Sequence, residues 1–335
     1  MLLLASLTAC GLTDEEETRL SVYQRNSQEF YTQGSYRQAK QQADKALAID
    51  EDIVGMRLMR AFCLVKMGRA ARDAATLDRA IDDFADLRSS DGDEDYRIWL
   101  GSGQAHFARA LLVEDDIGIH ERRLASDYLD EAGRRAEERG LERARLDYDD
   151  HLRLAERFLG RVFTFELQEE NTQALIEMVL VLNYQGDREV DALKLGRRAV
   201  ELLVQSNDLT QQTIQKNLNL SANGKMILEG RIEDNLRTEQ QLRDILATIE
   251  WNRGEMEGAL QELDALEERQ LMQPVHYQMR AAVHEQLGQL TQAVIDLHTF
   301  LKMRAVERDF DELAAETYDR IDDLIARGAT PPVGP

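Results

Sequence analysis

The chain is 335 residues long, carries a formal net charge of −22, and contains only four prolines and 6% aromatic residues. Such an acidic surface repels phosphate backbones and anionic headgroups, which argues against nucleic acid as a partner. Ala, Leu, Glu, Arg, Asp and Gln dominate and no Val/Ile/Thr run alternates with period two, so the expectation is an all-helical protein.

Residues 1–9 (MLLLASLTA) are apolar but far too short to span a bilayer, and they suit the end of a signal-peptide core. Leu7-Thr8-Ala9-Cys10 resembles the lipobox of bacterial lipoproteins. That resemblance implies acyl chains on Cys10 as the membrane contact. With Gly11 rather than aspartate next, it also implies the outer membrane, facing the periplasm. Residues 10–17 would then be the lipidated cysteine and an acidic tether, with Thr13 or Asp14 capping the first helix. The alternative is the apolar N-terminus of an ordinary soluble protein. Only Cys63 remains once Cys10 is lipidated, which leaves no intrachain disulfide, and its apolar neighbours make it a core residue.

Residues 18–139 read as helical hairpins. Gly34 is followed by Tyr36, Ala39, Ala43 and Ala46, and Gly68 falls thirty-four residues later. The second-helix signature that should follow Gly68, namely Ala80, Phe84 and Leu87, comes seven residues late. Ser89 to Asp95 reads as a loop. A third unit opens near Tyr96 with Trp99-Leu100-Gly101 and takes Ala125, Leu129 and Ala132 as its second-helix stripe. Residues 140–170 fit the repeat poorly and read as a long connecting helix.

The pattern returns in residues 171–308. Leu175, Met178, Val179 and Leu182 form a stripe before Gly186, and the register lapses between Asn207 and Arg237. Two clean copies follow, Gly254-Ala259-Leu263-Leu266 and Gly288-Ala293-Leu297-Phe300, thirty-four residues apart. The glycine takes a tight turn that a side chain would obstruct, the alanine lets two helices approach, and the bulky residues form one stripe. Residues 309–327 read as a capping helix and 328–335 as a disordered tail.

This spacing resembles the tetratricopeptide repeat (TPR), a thirty-four-residue helix–turn–helix unit. The resemblance implies a TPR-like helical-hairpin solenoid, an all-α superhelix with irregular central repeats, whose repeat turns are Gly34, Gly68, Gly186, Gly254 and Gly288. It also implies a partner groove lined by the first helix of each pair. Counted back from the turn glycines, the groove positions are Tyr31 and Thr32, Val65 and Lys66, Asn183 and Tyr184, Trp251 and Asn252, and Glu285 and Gln286. Aromatic and amide side chains there suit a peptide or protein partner, and the acidic surface favours a neutral or basic one. The competing account is that Tyr31, Tyr184 and Trp251 simply fill space between adjacent repeats.

Chemistry is hard to find. Asp91, Asp93 and Asp95 alternate like the start of a calcium loop, but Tyr96 replaces its turn glycine and Ser102 its bidentate glutamate, so capping of the next helix is the better account. His284-Glu285-Gln286-Leu287-Gly288 lacks the second histidine of a zinc-protease motif. Gly101-Ser102-Gly103 lies on an expected helix, without the strand that a nucleophile elbow needs. The expectation is therefore a scaffold with no cofactor, no metal and no catalysis. The alternatives are a transport accessory with an apolar pocket walled by Trp99, Phe107 and Phe158, and a soluble cytoplasmic adaptor.

Overall fold

A computed structural model describes residues 12–91, 95–126, 128–168, 170–217, 219–304 and 311–330. The lipobox with Cys10, the central Asp93 of the acidic run, Phe310 and residues 331–335 lie outside the described residues. Among those described there are thirteen helices and no strand, and none of the helices is long and apolar enough to cross a membrane. The chain divides into two compact units, Met1–Gln185 and Gly186–Pro335.

The first unit contains α1 (Asp14–Thr32), α2 (Tyr36–Leu47), α3 (Val54–Ala71), α4 (Ala74–Asp91), α5 (Tyr96–Leu124), α6 (Glu131–Val162) and α7 (Thr172–Gln185). Thr13 starts α1 through a capping box: its hydroxyl accepts from the Glu16 N–H at 3.3 Å, and the Glu16 carboxylate accepts from the Thr13 N–H at 2.9 Å. The pairs α1–α2, α3–α4 and α5–α6 are hairpins, and α7 packs on α5 and α6. Ala39, Ala43 and Ala46 of α2 are fully buried, so the alanine stripe is a close-contact surface.

The turns share one closure. At Gly34 (φ +74) the Ser35 N–H reaches the Phe30 carbonyl at 2.8 Å. This is the six-to-one bond that satisfies a helix C-terminus when the next residue is left-handed. Gly68 departs from the expectation: it lies inside α3, and the left-handed turn residue is Arg72 (φ 50), whose successor Asp73 bonds back to the Gly68 carbonyl at 3.0 Å. The reason is packing. A methyl group on Gly68 would sit 2.7 Å from the Leu77 side chain of α4, so this glycine serves helix approach.

Three further expectations are corrected here. Ser89–Asp91 continue α4 as helix, and Asp95 caps α5 by accepting from the Arg97 N–H at 2.9 Å. The partner of α5 is α6, which buries Leu152, Ala155, Phe158, Leu159 and Val162, whereas Ala125 and Ala132 are exposed. Residues 140–170 are thus no connector, since α6 forms one long hairpin with α5. Glycines allow the close fit. A methyl group on Gly101 would meet Phe84 of α4 at 2.1 Å, and one on Gly103 would meet Leu159 of α6 at 2.6 Å.

The second unit contains α8 (Glu189–Lys216), α9 (Ala222–Asn252), α10 (Met256–Glu268), α11 (Pro274–Gln286), α12 (Leu290–Arg304) and α13 (Asp311–Ala326). Residues 207–237, expected to be irregular, fall largely in two regular helices, α8 ending at Lys216 and α9 starting at Ala222. Gly254 (φ +79) and Gly288 (φ +71) join α9 to α10 and α11 to α12, each closed by a six-to-one bond, Glu255 N–H to Glu250 and Gln289 N–H to His284. Ala247, Ala259, Leu263, Leu266 and Val283 form one core cluster; Ala293, Leu297, Phe300, Ile321 and Leu324 belong to the next. Of the expected tail, Ala329 is buried and the Thr330 N–H donates to the Thr291 hydroxyl at 3.1 Å.

Candidate functional site

Within the first unit the first helices of successive hairpins, α1, α3, α5 and α7, lie side by side. Their shared face carries a row of polar groups. Arg69 of α3 approaches the Glu177 carboxylate of α7 at 3.4 Å, and the Gln104 amide of α5 donates to the same oxygen at 3.0 Å. The other Glu177 oxygen and the Gln104 carbonyl oxygen are buried and accept no hydrogen bond. Lys66, one turn before Arg69, has its ammonium pushed below its ordinary pKa by burial and then by the Arg69 charge, with Glu177 acting in the opposite direction. A half-buried cation therefore stands within the field of the Glu177 carboxylate. A buried acceptor without a donor is costly, which marks the Glu177 and Gln104 oxygens as a strained point of this row.

Aromatic side chains flank this row. The Phe107 ring of α5 meets Tyr184 edge-on at 5.6 Å, with the Arg69 guanidinium 6.0 Å from the Phe107 centroid. Tyr148 of α6 donates to the Tyr184 carbonyl at 3.3 Å. On the other flank Lys66 borders an open cleft of about 840 Å³ at the turn ends of the first two hairpins, lined also by Gly34, Tyr36, Arg37, Met67 and Asp73.

The expected groove residues divide clearly. Tyr31 stacks edge-on against Tyr36 at 5.3 Å, and burial pushes its hydroxyl up to about 12. Trp251 packs on the core cluster between α9, α10 and α11. Glu285 is clamped by Arg320 at 2.9 Å and Arg327 at 2.5 Å from the region of α13. Burial works against its charge, but hydrogen bonds from Arg327 and Arg320 outweigh it and hold the carboxyl below its usual range. Thr32, Asn252 and Gln286 are exposed and Asn183 is half-buried. Tyr184 is 36% exposed and is the aromatic ring that remains open to a partner. Sequence reasoning missed Arg69, Gln104 and Glu177. They share no spacing along the chain, so no sequence signal marks them.

The pocket expected from Trp99, Phe107 and Phe158 does not form. Trp99 packs on Phe158 at 5.8 Å, Arg88 covers the Phe158 ring at 4.4 Å, and Phe107 is 1% exposed and turned to Tyr184. Beside Phe158 lies a histidine pair instead, with His106 Nδ1 2.9 Å from His151 Nδ1.

No protein-family profile and no curated protein matches the chain. Among solved structures, similar ones include a tetratricopeptide repeat protein from Parabacteroides merdae, at 12% identity and a TM-score of 0.30, covering 92% of this chain and 99% of that one. The TPR domain of P58(IPK) matches at 14% identity and a TM-score of 0.23, covering 93% and 99%. Yeast Tom70 matches at 12% and 0.24, covering 93% and 77%. At these scores the fold assignment rests on the chain's own helix pairs and left-handed turns.

Proposed function

We propose that this chain is a non-catalytic scaffold that holds a protein or peptide partner on the first-helix face of its first unit. The observation that carries the reading is the row of Lys66, Arg69, Gln104 and Glu177 on adjacent first helices, with Lys66 opening onto a cleft of about 840 Å³. A peptide backbone supplies carbonyl oxygens for the Lys66 ammonium at the open cleft, while Tyr184 offers ring surface to a side chain. The net charge of −22 favours a neutral or basic partner at long range.

The test is crosslinking from a photoreactive residue at position 184 in cells. Capture of a defined protein that is lost in Lys66→Glu supports the reading. Equal capture in Lys66→Glu, or from a control probe at Asp208, refutes it.

The setting we propose is the bacterial cell envelope, with the chain anchored by lipid on Cys10, supported by the Leu7-Thr8-Ala9-Cys10 sequence and the acidic tether after it. Mass spectrometry of the mature N-terminus decides this, and an unmodified Met1 would overturn it.

A further inference from the structure

The α8–α9 hairpin extends well past the rest of its unit. α9 has 31 residues and α10 only 13, so they span about 46 Å and about 20 Å. α10 meets α9 between Glu239 and Glu250: Arg269 bonds Glu239, Glu262 bonds Arg243, and Gly258 abuts Glu250. α8 follows α9 much further, through Arg197–Glu250, Gly196–Leu246 and Asn207–Asn235. What extends beyond Glu239 is a two-helix arm held by α8–α9 contacts.

The arm is internally weak and externally apolar. Its interior includes a polar layer in which Asn235 donates to Asn207 at 2.8 Å while the Asn207 amide nitrogen finds no acceptor. Leu209 and Ile227 are 64% and 62% exposed. Both fall on one side. Leu209 directly precedes the buried Thr210, Ile227 precedes Leu228, and Asp234 precedes Asn235. In an antiparallel pair, residues one position before the inward-facing ones share a side.

Charge selects the occupant. Residues 202–238 contain four acidic and four basic residues and are neutral, in a chain whose net charge is −22. The arm is therefore a place where two copies approach without the repulsion that the whole chain exerts. The charge on that side is also polarised. Lys216, seven residues after Leu209, lies beside the tip, and Asp234, seven after Ile227, lies about 20 Å toward the base, with Arg237 3.5 Å away. Turned end for end, one arm places its tip lysine against the other arm's basal aspartate.

We propose that the protein self-associates through this arm, two copies packing antiparallel about a two-fold axis with Leu209 and Ile227 at the seam. An isologous contact of this kind forms the Lys216–Asp234 pair twice, once in each direction. Two faces, each two helices (about 20 Å) wide and about 20 Å long, bury roughly 800 Å² in total, which is the size of a weak, transient interface. The proposal does not depend on the partner-holding face of the first unit.

The test is sedimentation equilibrium of the full chain, with Cys10→Ala to exclude lipid, from about 1 to about 200 µM. A reversible dimer is expected. It should be lost in Leu209→Glu/Ile227→Glu and weakened about tenfold in Lys216→Glu. Adding Asp234→Lys to the lysine variant should restore it. The charge-reversal pair carries the test should the first variant misfold. A monomer throughout, a dimer indifferent to these changes, or a charge reversal without rescue would each overturn the proposal.

Discussion

Removing the titration of His106 should flatten the acid sensitivity of the first unit. His106 of α5 faces His151 of α6, with their Nδ1 atoms 2.9 Å apart, against the Phe158 ring. Burial, then the neighbouring His151, then Arg88 push His106 down to about 3, and His151 is also lowered by burial and by Arg109, with Asp147, Asp78 and Asp150 pulling the other way. One ring donates and the other accepts, and with both histidines pushed below their ordinary range the folded pair is neutral at pH 7. A folded-state pKa below the unfolded value means that stability is full above about pH 6.5 and falls as the unfolded chain binds the proton first. Between pH 7.5 and pH 5 His106 alone should remove about 2 kcal/mol, and continued loss is expected down to about pH 3. His106→Asn keeps an amide where Nδ1 was and does not titrate. Trp251→Phe leaves Trp99, 5.8 Å from Phe158, as a fluorescence probe of this unit. In that background, urea unfolding should show His106→Asn losing about 2 kcal/mol less than the parent on going to pH 5. Parallel pH profiles, or an NMR titration of His106 near 6.5, would refute the reasoning.

Other outcomes follow from the same packing. Gly254→Ala and Gly288→Ala force a side chain into φ +79 and +71 and should each cost about 1–2 kcal/mol, read as a lower Tm for the second unit. Gly68→Ala should cost about 1–3 kcal/mol through the clash with Leu77, and in a double-mutant cycle with Leu77→Ala the penalty should shrink, the signature of direct contact. Arg280 donates to the buried Asp296 at 2.8 and 2.9 Å and also to Asp264 and Glu267. Arg280→Met should therefore cost about 3–5 kcal/mol by chemical denaturation, while Arg280→Met with Asp296→Leu recovers much of the loss because no buried charge is stranded.

The helical hairpins could be read from the chain because glycine and alanine mark them by shape. A left-handed turn residue and a small contact residue five positions later recur at Gly34, Gly254 and Gly288. Gly68 misled because the same residue type meets two different demands. Four before and five after the turn residue, the first hairpin has Phe30 and Ala39, while the second, turning at Arg72, has Gly68 and Leu77. Large and small residues have exchanged helices, so the contact survives while the glycine leaves the turn. A count of thirty-four finds the glycine and misses the turn.

The long hairpins and the polar face were hidden for a different reason. α5–α6 and α8–α9 run about twice the length of a repeat helix, so their stripes lose the thirty-four-residue period while keeping the helical one. In the sequence, loss of repeat register therefore looks like loss of structure. The polar face escaped because Arg69, Gln104 and Glu177 come from three helices with no shared spacing. They meet only because α3, α5 and α7 lie alongside one another, and no distance along the chain encodes that adjacency. The aromatic positions show the converse. Tyr31 and Trp251 were chosen by register alone, and the same register that places a ring on the first helix also places it against the next hairpin. What separates Tyr184 from them is the ring surface left uncovered at one end of the polar row. A partner surface in this architecture is thus better sought in what the next hairpin leaves uncovered than in repeat position.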